Sequence, residues 1–195
     1  MDVIEAIKNR RSIRQFINKD ISDEILRSII SAAIYAPSAK NRQPWRFCIL
    51  KDSSKKGFIK LVMENDKDQP DKRTNLLASE HSTWRTSIAA MTSAPILILA
   101  FNTFPSERAL GFHNGLFDLS NNQSIGAAIQ NVLLMAESYN IGSLWINDVY
   151  SSYDEINSTY FEIGQFVACI ALGYTIEAPV MPRRKLLKQL IDIRE

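Results

Sequence analysis

Ile96-Leu97-Ile98-Leu99-Ala100-Phe101 runs without a polar side chain and is led in by Ala94-Pro95. A short uninterrupted apolar run introduced by proline reads as a buried strand. Three further segments share its character. Arg46 to Leu50 alternates and then turns apolar, which makes it the first core strand in chain order; Leu144-Trp145-Ile146 is a short strand and Phe166 to Leu172 a longer buried one.

Helical patterns lie between and around these strands. Val3, Ile4 and Ile7 repeat at helical spacing, so a short helix is expected over Asp2 to Asn9. Ser22 is a suitable N-cap, Asp23 and Glu24 load the first turn with negative charge, and Ile25, Leu26, Ile29, Ile30 and Ala33 mark a buried face running to about Ala36, before Pro37. Ser54 to Glu64 and Leu76 to Thr92 are also helical in pattern, with a polar loop expected over Asn65 to Asn75. Asn102 to Gly115 reads as irregular. Ser124 to Asn140 is the strongest helix, apolar around most of its girth, and Gly142 is expected to end it. Ser152 to Tyr160 is a polar helix, and Leu186, Leu187, Leu190 and Ile191 form an apolar helical stripe. Strands and helices mix without regular βαβ alternation, so the expected class is α+β, in one domain over residues 1–195.

Bulk properties exclude several function classes. A net charge of +2 gives no general electrostatic case for nucleic acid or a membrane surface. Cys48 and Cys169 lie inside apolar runs without metal-ligand spacing, which argues against a disulfide framework or a zinc site. Met1 to Arg14 has no secretory h-region, and no apolar run reaches the roughly 20 residues of a membrane span. A cytoplasmic protein is the expectation. Neither a Gly-rich dinucleotide fingerprint nor a P-loop is present.

One polar stretch stands apart. Arg10-Arg11-Ser12-Ile13-Arg14 gathers three guanidinium groups and a hydroxyl in five positions. Guanidinium groups bind phosphate oxygens through paired, charge-assisted hydrogen bonds. The competing reading is a basic helix C-terminus, where the dipole favours cations.

Four segments carry a resemblance. They are Arg10-Arg11-Ser12-x-Arg14; Pro37-Ser38-Ala39-x-Asn41-x-Gln43-Pro44-Trp45; Gln130-Asn131-x-Leu133-Leu134-Met135-Ala136-Glu137 running on to Gly142-Ser143-Leu144-Trp145-Ile146; and Ala171-Leu172-Gly173-Tyr174 followed by Arg183-Arg184-Lys185. With these in this order the chain resembles the FMN-dependent nitroreductase-like flavoproteins along nearly its whole length. The resemblance implies a central, mostly antiparallel sheet flanked by helices, in an intertwined homodimer.

It also implies that Arg10, Ser12 and Arg14 grip the FMN phosphate, that Arg11 contributes through its backbone, and that Arg184 is the C-terminal phosphate contact with Arg183 beside it. Asn41 and Gln43 become candidates for hydrogen bonds to the ribityl chain and the polar ring edge, although such amides also satisfy a loop's own backbone. Pro37, Ser38 and Ala39 fall on the loop that one subunit places against the partner's flavin. Trp145 and Ile146 fall on the strand whose backbone approaches the pyrimidine half of the ring. Arg85 and Thr86 match another ring contact only loosely.

The implied activity is ping-pong transfer from NADH or NADPH, through FMN, to a small electron-poor acceptor: a nitroaromatic, quinone or enone. No acid–base side chain is obligatory, so His81 and His113 are read as surface residues. The alternatives are a specialised flavoprotein of the same fold (reductive dehalogenation, flavin breakdown or heterocycle oxidation) and a non-catalytic flavin-binding protein. Two departures stand out: Ser124 where many relatives carry an acid, and Pro182 where they often place a first basic residue.

Overall fold

A computed structural model describes residues 1–67, 78–105 and 114–194. Six helices are assigned among them: α1 (Val3–Asn9), α2 (Asp23–Ser31), α3 (Asp52–Lys67), α4 (Ala78–Ser93), α5 (Asn114–Ser138) and α6 (Tyr153–Thr159). Four strands, β1 (Trp45–Leu50), β2 (Ile96–Asn102), β3 (Gly142–Ile146) and β4 (Gln165–Gly173), form one sheet in the order β1-β2-β4-β3, every neighbouring pair antiparallel.

The apolar run of β2 is explained by its place. Its side chains alternate between faces, and both faces are covered. Leu97, Leu99 and Phe101 pack with Phe58 and Val62 of α3, Met91 of α4 and Ile156 of α6. Ile96, Ile98 and Ala100 pack with Ile29 of α2 and with Ile125, Ile129 and Val132 of α5. The result is a three-layer α+β sandwich. Register slips between Ala100 and Phe101, where Ala100 faces Ala168 but Phe101 faces Phe166. The extra residue, Val167, forms a bulge that turns Phe166 to the same face as Cys169. The Tyr150 hydroxyl donates to the Val167 carbonyl.

Several boundaries differ from expectation for local reasons. β1 is an edge strand, with Ile49 exposed. The α2 helix stops at Ser31 and tightens into a 3₁₀ turn over Ala32–Tyr35. There the small Ala32 and Ala33 lie buried, and Asn131 of α5 donates its side-chain amide to the Ala32 carbonyl at 3.2 Å. That bond occupies an acceptor near the helix end. The loop expected from Asn65 begins later, since α3 continues to Lys67; the rest of that loop lies outside the described residues. Of the irregular region expected over 102–115, residues 106–113 lie outside them too, but α5 already begins at Asn114.

Asn140, not Gly142, closes α5. It sits at φ 57°, donating its N–H to the Glu137 carbonyl at 2.9 Å, while Ile141 N–H reaches the Ala136 carbonyl at 2.9 Å. This is the Schellman arrangement with asparagine as the left-handed residue. Gly142 instead begins β3, where a Cβ would lie 3.0 Å from side-chain atoms of Ile13 and Thr175.

The apolar stripe at Leu186 to Ile191 does not form a helix beyond one 3₁₀ turn at Leu187–Gln189, and its leucines are exposed. Short helices need a packing partner to be stable in water. No helix among the described residues is long and apolar enough to cross a membrane.

Gly173 is closely packed against side chains: a Cβ would approach the Pro95 ring to 2.6 Å and Phe16 to 2.8 Å. Gly173→Ala is expected to cost about 1–3 kcal/mol of stability, the usual cost of overpacking a rigid neighbour. An unchanged urea midpoint would show that Phe16 and Pro95 yield freely.

Candidate functional site

The site forms where the N-terminal arm crosses the outer edge of β3. A reciprocal cap starts α1: Asp2 Oδ1 accepts from Glu5 N–H at 2.8 Å, and Glu5 Oε2 accepts from Asp2 N–H at 3.1 Å. The helix ends at Asn9, and the chain straightens so that Ser12 bridges Ser143 in parallel, with Ile13 N–H donating to the Ser143 carbonyl at 2.9 Å. Ile13 and Phe16 point into the core, which turns the arginines outward.

The three arginines of the arm do different things. Arg11 folds back to cap α1, donating from one terminal nitrogen to the Lys8 carbonyl at 2.6 Å and the Arg10 carbonyl at 2.9 Å. Its Nε is buried without a protein partner among the described residues. Arg14 is exposed and donates to the Ser12 carbonyl at 3.2 Å. Arg10 is half-buried. Its guanidinium is held below the ordinary arginine range, first by burial and then by Arg184 and Arg11, with Glu137 opposing.

Residue 184 of the C-terminal segment therefore lies within electrostatic reach of residue 10. Arg183 is exposed beside it. Glu137, in the last turn of α5, is pushed above the ordinary carboxylate range because burial outweighs the pull of Arg10 and Arg11. The folded protein holds that proton more tightly than the unfolded chain, so Glu137 costs stability once pH rises past its ordinary range. Burial is the first cause of both shifts, so the attraction between Arg10 and Glu137 does not offset the desolvation of either group. A cluster of this kind, with an unmatched buried donor, fits an anion with several acceptor oxygens.

The second predicted segment is a strained loop. Lys40, Asn41 and Gln43 have φ of 54°, 53° and 51°. Asparagine tolerates this region, but lysine and glutamine seldom occupy it. Local bonds hold it: Ser38 Oγ accepts from Gln43 N–H at 3.0 Å, Asn41 N–H reaches the Ser38 carbonyl at 3.0 Å, and Thr103 N–H reaches the Pro44 carbonyl at 2.8 Å. Arg42 lies over the Phe117 ring at 3.7 Å, tying the loop to the start of α5. Asn41 and Gln43 share a weak side-chain bond at 3.3 Å and are exposed, as is Pro37, while Ser38 and Ala39 are half-buried. Among the described residues, no hydrogen bond or ion pair joins this loop to the arginine arm.

Trp145 and Ile146 separate across β3. Ile146 is buried on the α3/α4/α6 face. Trp145 packs on the α5 side near Gly126, where a Cβ would meet its ring at 3.8 Å, and its indole N–H is buried without a protein partner among the described residues. Arg85 and Thr86 sit on α4, which packs on the opposite face of the sheet from α5. Ser124 is buried and donates to the Ser120 carbonyl at 2.8 Å. The His81 side chain and His113 lie outside the described residues. Burial raises the Cys48 and Cys169 thiols, so neither is primed as a thiolate.

Three participants had no sequence signal of their own: Arg42, Glu137 as a neighbour of Arg10, and Glu177. The Glu177 carboxylate accepts from the backbone N–H groups of Arg14 and Gln15, at 2.7 and 2.9 Å.

Comparison with known proteins agrees with this architecture. A family model described as the nitroreductase family matches residues 7–174, and the chain belongs to that family. A Methanothermobacter thermautotrophicus protein, provisionally named NADH dehydrogenase/NAD(P)H nitroreductase, is 29% identical over 92% of this chain and 80% of its own. The iodotyrosine dehalogenase 1 homolog of Caenorhabditis elegans is 30% identical over 66% of this chain; the match spans 42% of that longer protein. Among solved structures, a provisionally assigned nitroreductase of Desulfovibrio desulfuricans in complex with FMN superposes with a TM-score of 0.72 at 25% identity. It covers 100% of this chain and 98% of its own.

The different settings of Arg10 and Arg11 should separate in stability. Arg11→Ala removes two charged caps from α1 and is expected to cost about 1–3 kcal/mol. Arg10→Ala should cost less, because burial and Arg184 already disfavour its charge. Chemical denaturation of both variants at low salt checks this; a larger loss for Arg10→Ala would contradict it.

Proposed function

We propose that this chain is an FMN-dependent NAD(P)H oxidoreductase that reduces a small electron-poor acceptor. The observation that carries the reading is that Arg184, distant in sequence, comes within electrostatic reach of Arg10 on the arm that bridges β3, with Arg11 beside it. Like charges gather at a cost unless an anion is to be met, and a flavin phosphate carries close to two negative charges. The family, and the FMN complex of the Desulfovibrio protein, support that anion in particular.

In this reading Arg10, Ser12, Arg14 and Arg184 hold the phosphate, with Arg183 in support. Asn41 and Gln43 offer amides to the ribityl chain and ring edge, Pro37, Ser38 and Ala39 border the ring, and the backbone of Trp145 and Ile146 faces its pyrimidine half. FMN held by these residues would supply hydride chemistry between NADH or NADPH and a nitroaromatic, quinone or enone, with ping-pong order the expected kinetics. The protein's part is to bind, to orient and to shape the space above the ring.

A homodimer belongs to the same proposal. The outer edge of β1 is unpaired among the described residues, and beside it a cleft of about 670 Å³ combines Leu26, Ile30, Ile34 and Ile49 with a polar border that includes Asp23, Arg27 and Lys51. Val3, Ile4 and Ile7 of α1 are exposed, and so are Leu186, Leu187, Leu190 and Ile191 of the C-terminal segment. Apolar surface on this scale marks an interface. An isologous dimer would cover it and bring the strained 37–43 loop to the partner's arginines.

Anaerobic stopped-flow mixing of the yellow protein with NADH and NADPH tests the electron source: bleaching of bound FMN by at least one is expected, and bleaching by neither removes it. An acceptor screen that includes a halogenated tyrosine distinguishes general acceptor reduction from the dehalogenation reading raised by the Caenorhabditis relative. Arg10→Ala combined with Arg14→Ala is expected to lose FMN on gel filtration, and full retention would sink the phosphate assignment.

Light scattering should show a dimer whose dissociation accompanies FMN loss; a monomer that holds FMN tightly would contradict it.

A further inference from the structure

We infer that Glu177 is a positioning residue that holds the C-terminal arginines against the N-terminal arm, through a clasp made with Thr175. This rests on the reading that those arginines bind the flavin phosphate.

The clasp is a closed set of bonds across a sequence gap of about 160 residues. One oxygen of Glu177 accepts the adjacent N–H groups of Arg14 and Gln15 at 2.7 and 2.9 Å. Two successive amides aimed at one anion form a strong local site for a carboxylate. The Thr175 hydroxyl donates to the Gln15 carbonyl at 2.7 Å and accepts from Glu177 N–H at 2.8 Å. Ile17 N–H adds a bond to the Tyr174 carbonyl at 2.9 Å. The arm is thus stitched to β3 at Ile13 and to the turn after β4 at Arg14, Gln15 and Ile17.

The segment beyond Glu177 gives the clasp its consequence. Ala178-Pro179-Val180-Met181-Pro182 leads to Arg183 and Arg184, and each proline fixes one φ along the way. From 178 to 185, no hydrogen bond or ion pair among the described residues anchors the chain, and Val180 is 92% exposed. Yet Arg184 stays near enough to Arg10 to disfavour its charge. Repulsion would separate the two; a fixed origin at Glu177 and a stiffened tether oppose that separation.

The clasp has a second effect. Because Glu177 occupies the Arg14 and Gln15 amides, a phosphate in the site meets side chains, not that stretch of backbone. Glu177 therefore sets which groups form the grip as well as where they stand.

The test is titration of the full-length apoprotein with FMN and, separately, with riboflavin, which lacks the phosphate, following flavin fluorescence. For Glu177→Ala, FMN affinity is expected to fall about tenfold or more, the scale of re-ordering a freed side chain and its segment, while riboflavin affinity holds. Glu177→Gln keeps a carbonyl oxygen for the two amides and should recover most of the loss. In a cycle with Arg184→Ala, the double variant should be weakened by less than the product of the single effects, because both remove the same contact.

An Ala variant with unchanged FMN affinity, an equal loss for riboflavin, or fully independent effects in the cycle would each overturn the inference. Should Glu177→Ala fail to fold, Thr175→Val breaks the same clasp more gently. A phosphate-selective loss of about threefold is then expected, and an unselective one is fatal. A wild-type protein that binds neither flavin would fail the flavin reading itself, a separate result from failure of the clasp.

Discussion

Burial of β2 on both faces is the constraint that sets the architecture. A strand apolar on both sides needs a helical layer above and below, and α2 and α5 supply one while α3, α4 and α6 supply the other. With β2 and β4 in the interior, β1 and β3 become the edges. Edges are where a sheet can still receive chain. The N-terminal arm uses the edge of β3 through Ser12 and Ile13, which brings Arg10 and Arg11 near Glu137 in the last turn of α5. The position of the site is thus a consequence of the sheet order.

The chemistry of that position is dominated by uncompensated charge. Glu137 is the acid that opposes the gathering of Arg10, Arg11 and Arg184, yet burial moves it toward its neutral form. Its charge carries a desolvation cost, so it competes weakly for the guanidinium groups and leaves them available to a stronger anion. Arg11, committed to the end of α1, is the exception. Its cap turns the general preference of cations for helix C-termini into a scaffold for its neighbours.

Much of the fold was legible because its signals are local. The apolar strands, the Ser22 cap and the long α5 pattern each depend on a few adjacent residues. Misreadings arose where distant contacts prevailed. Asn131 of α5 draws on the carbonyl at the end of α2. Gly142 looked like a helix stop, but the left-handed residue is Asn140, and the glycine answers to Ile13 and Thr175 across a strand edge. The C-terminal stripe kept its apolar period without forming a helix, since period alone does not supply a partner. In the site, the basic knots were legible as composition. Glu137, Arg42 and Glu177 were not, because ordinary residues acquire these roles only through neighbours remote in sequence.

Two observations on the outer surface belong together. The 37–43 loop holds lysine and glutamine in left-handed conformations, a cost that structures tolerate mainly at functional sites. Its own hydrogen bonds and the stacking of Arg42 on Phe117 hold it in that shape. The loop presents Asn41 and Gln43 outward, unconnected to the arginines of the same chain among the described residues, and the proposed dimer would give it a use at the partner's site. The exposed apolar groups of α1 and of the C-terminal segment are further surface that the proposed dimer would cover. In the proposed dimer, association with a second copy would cover the apolar surface and turn the strained loop to use, so the two halves of the proposed flavin site and the proposed interface would be one feature of the fold.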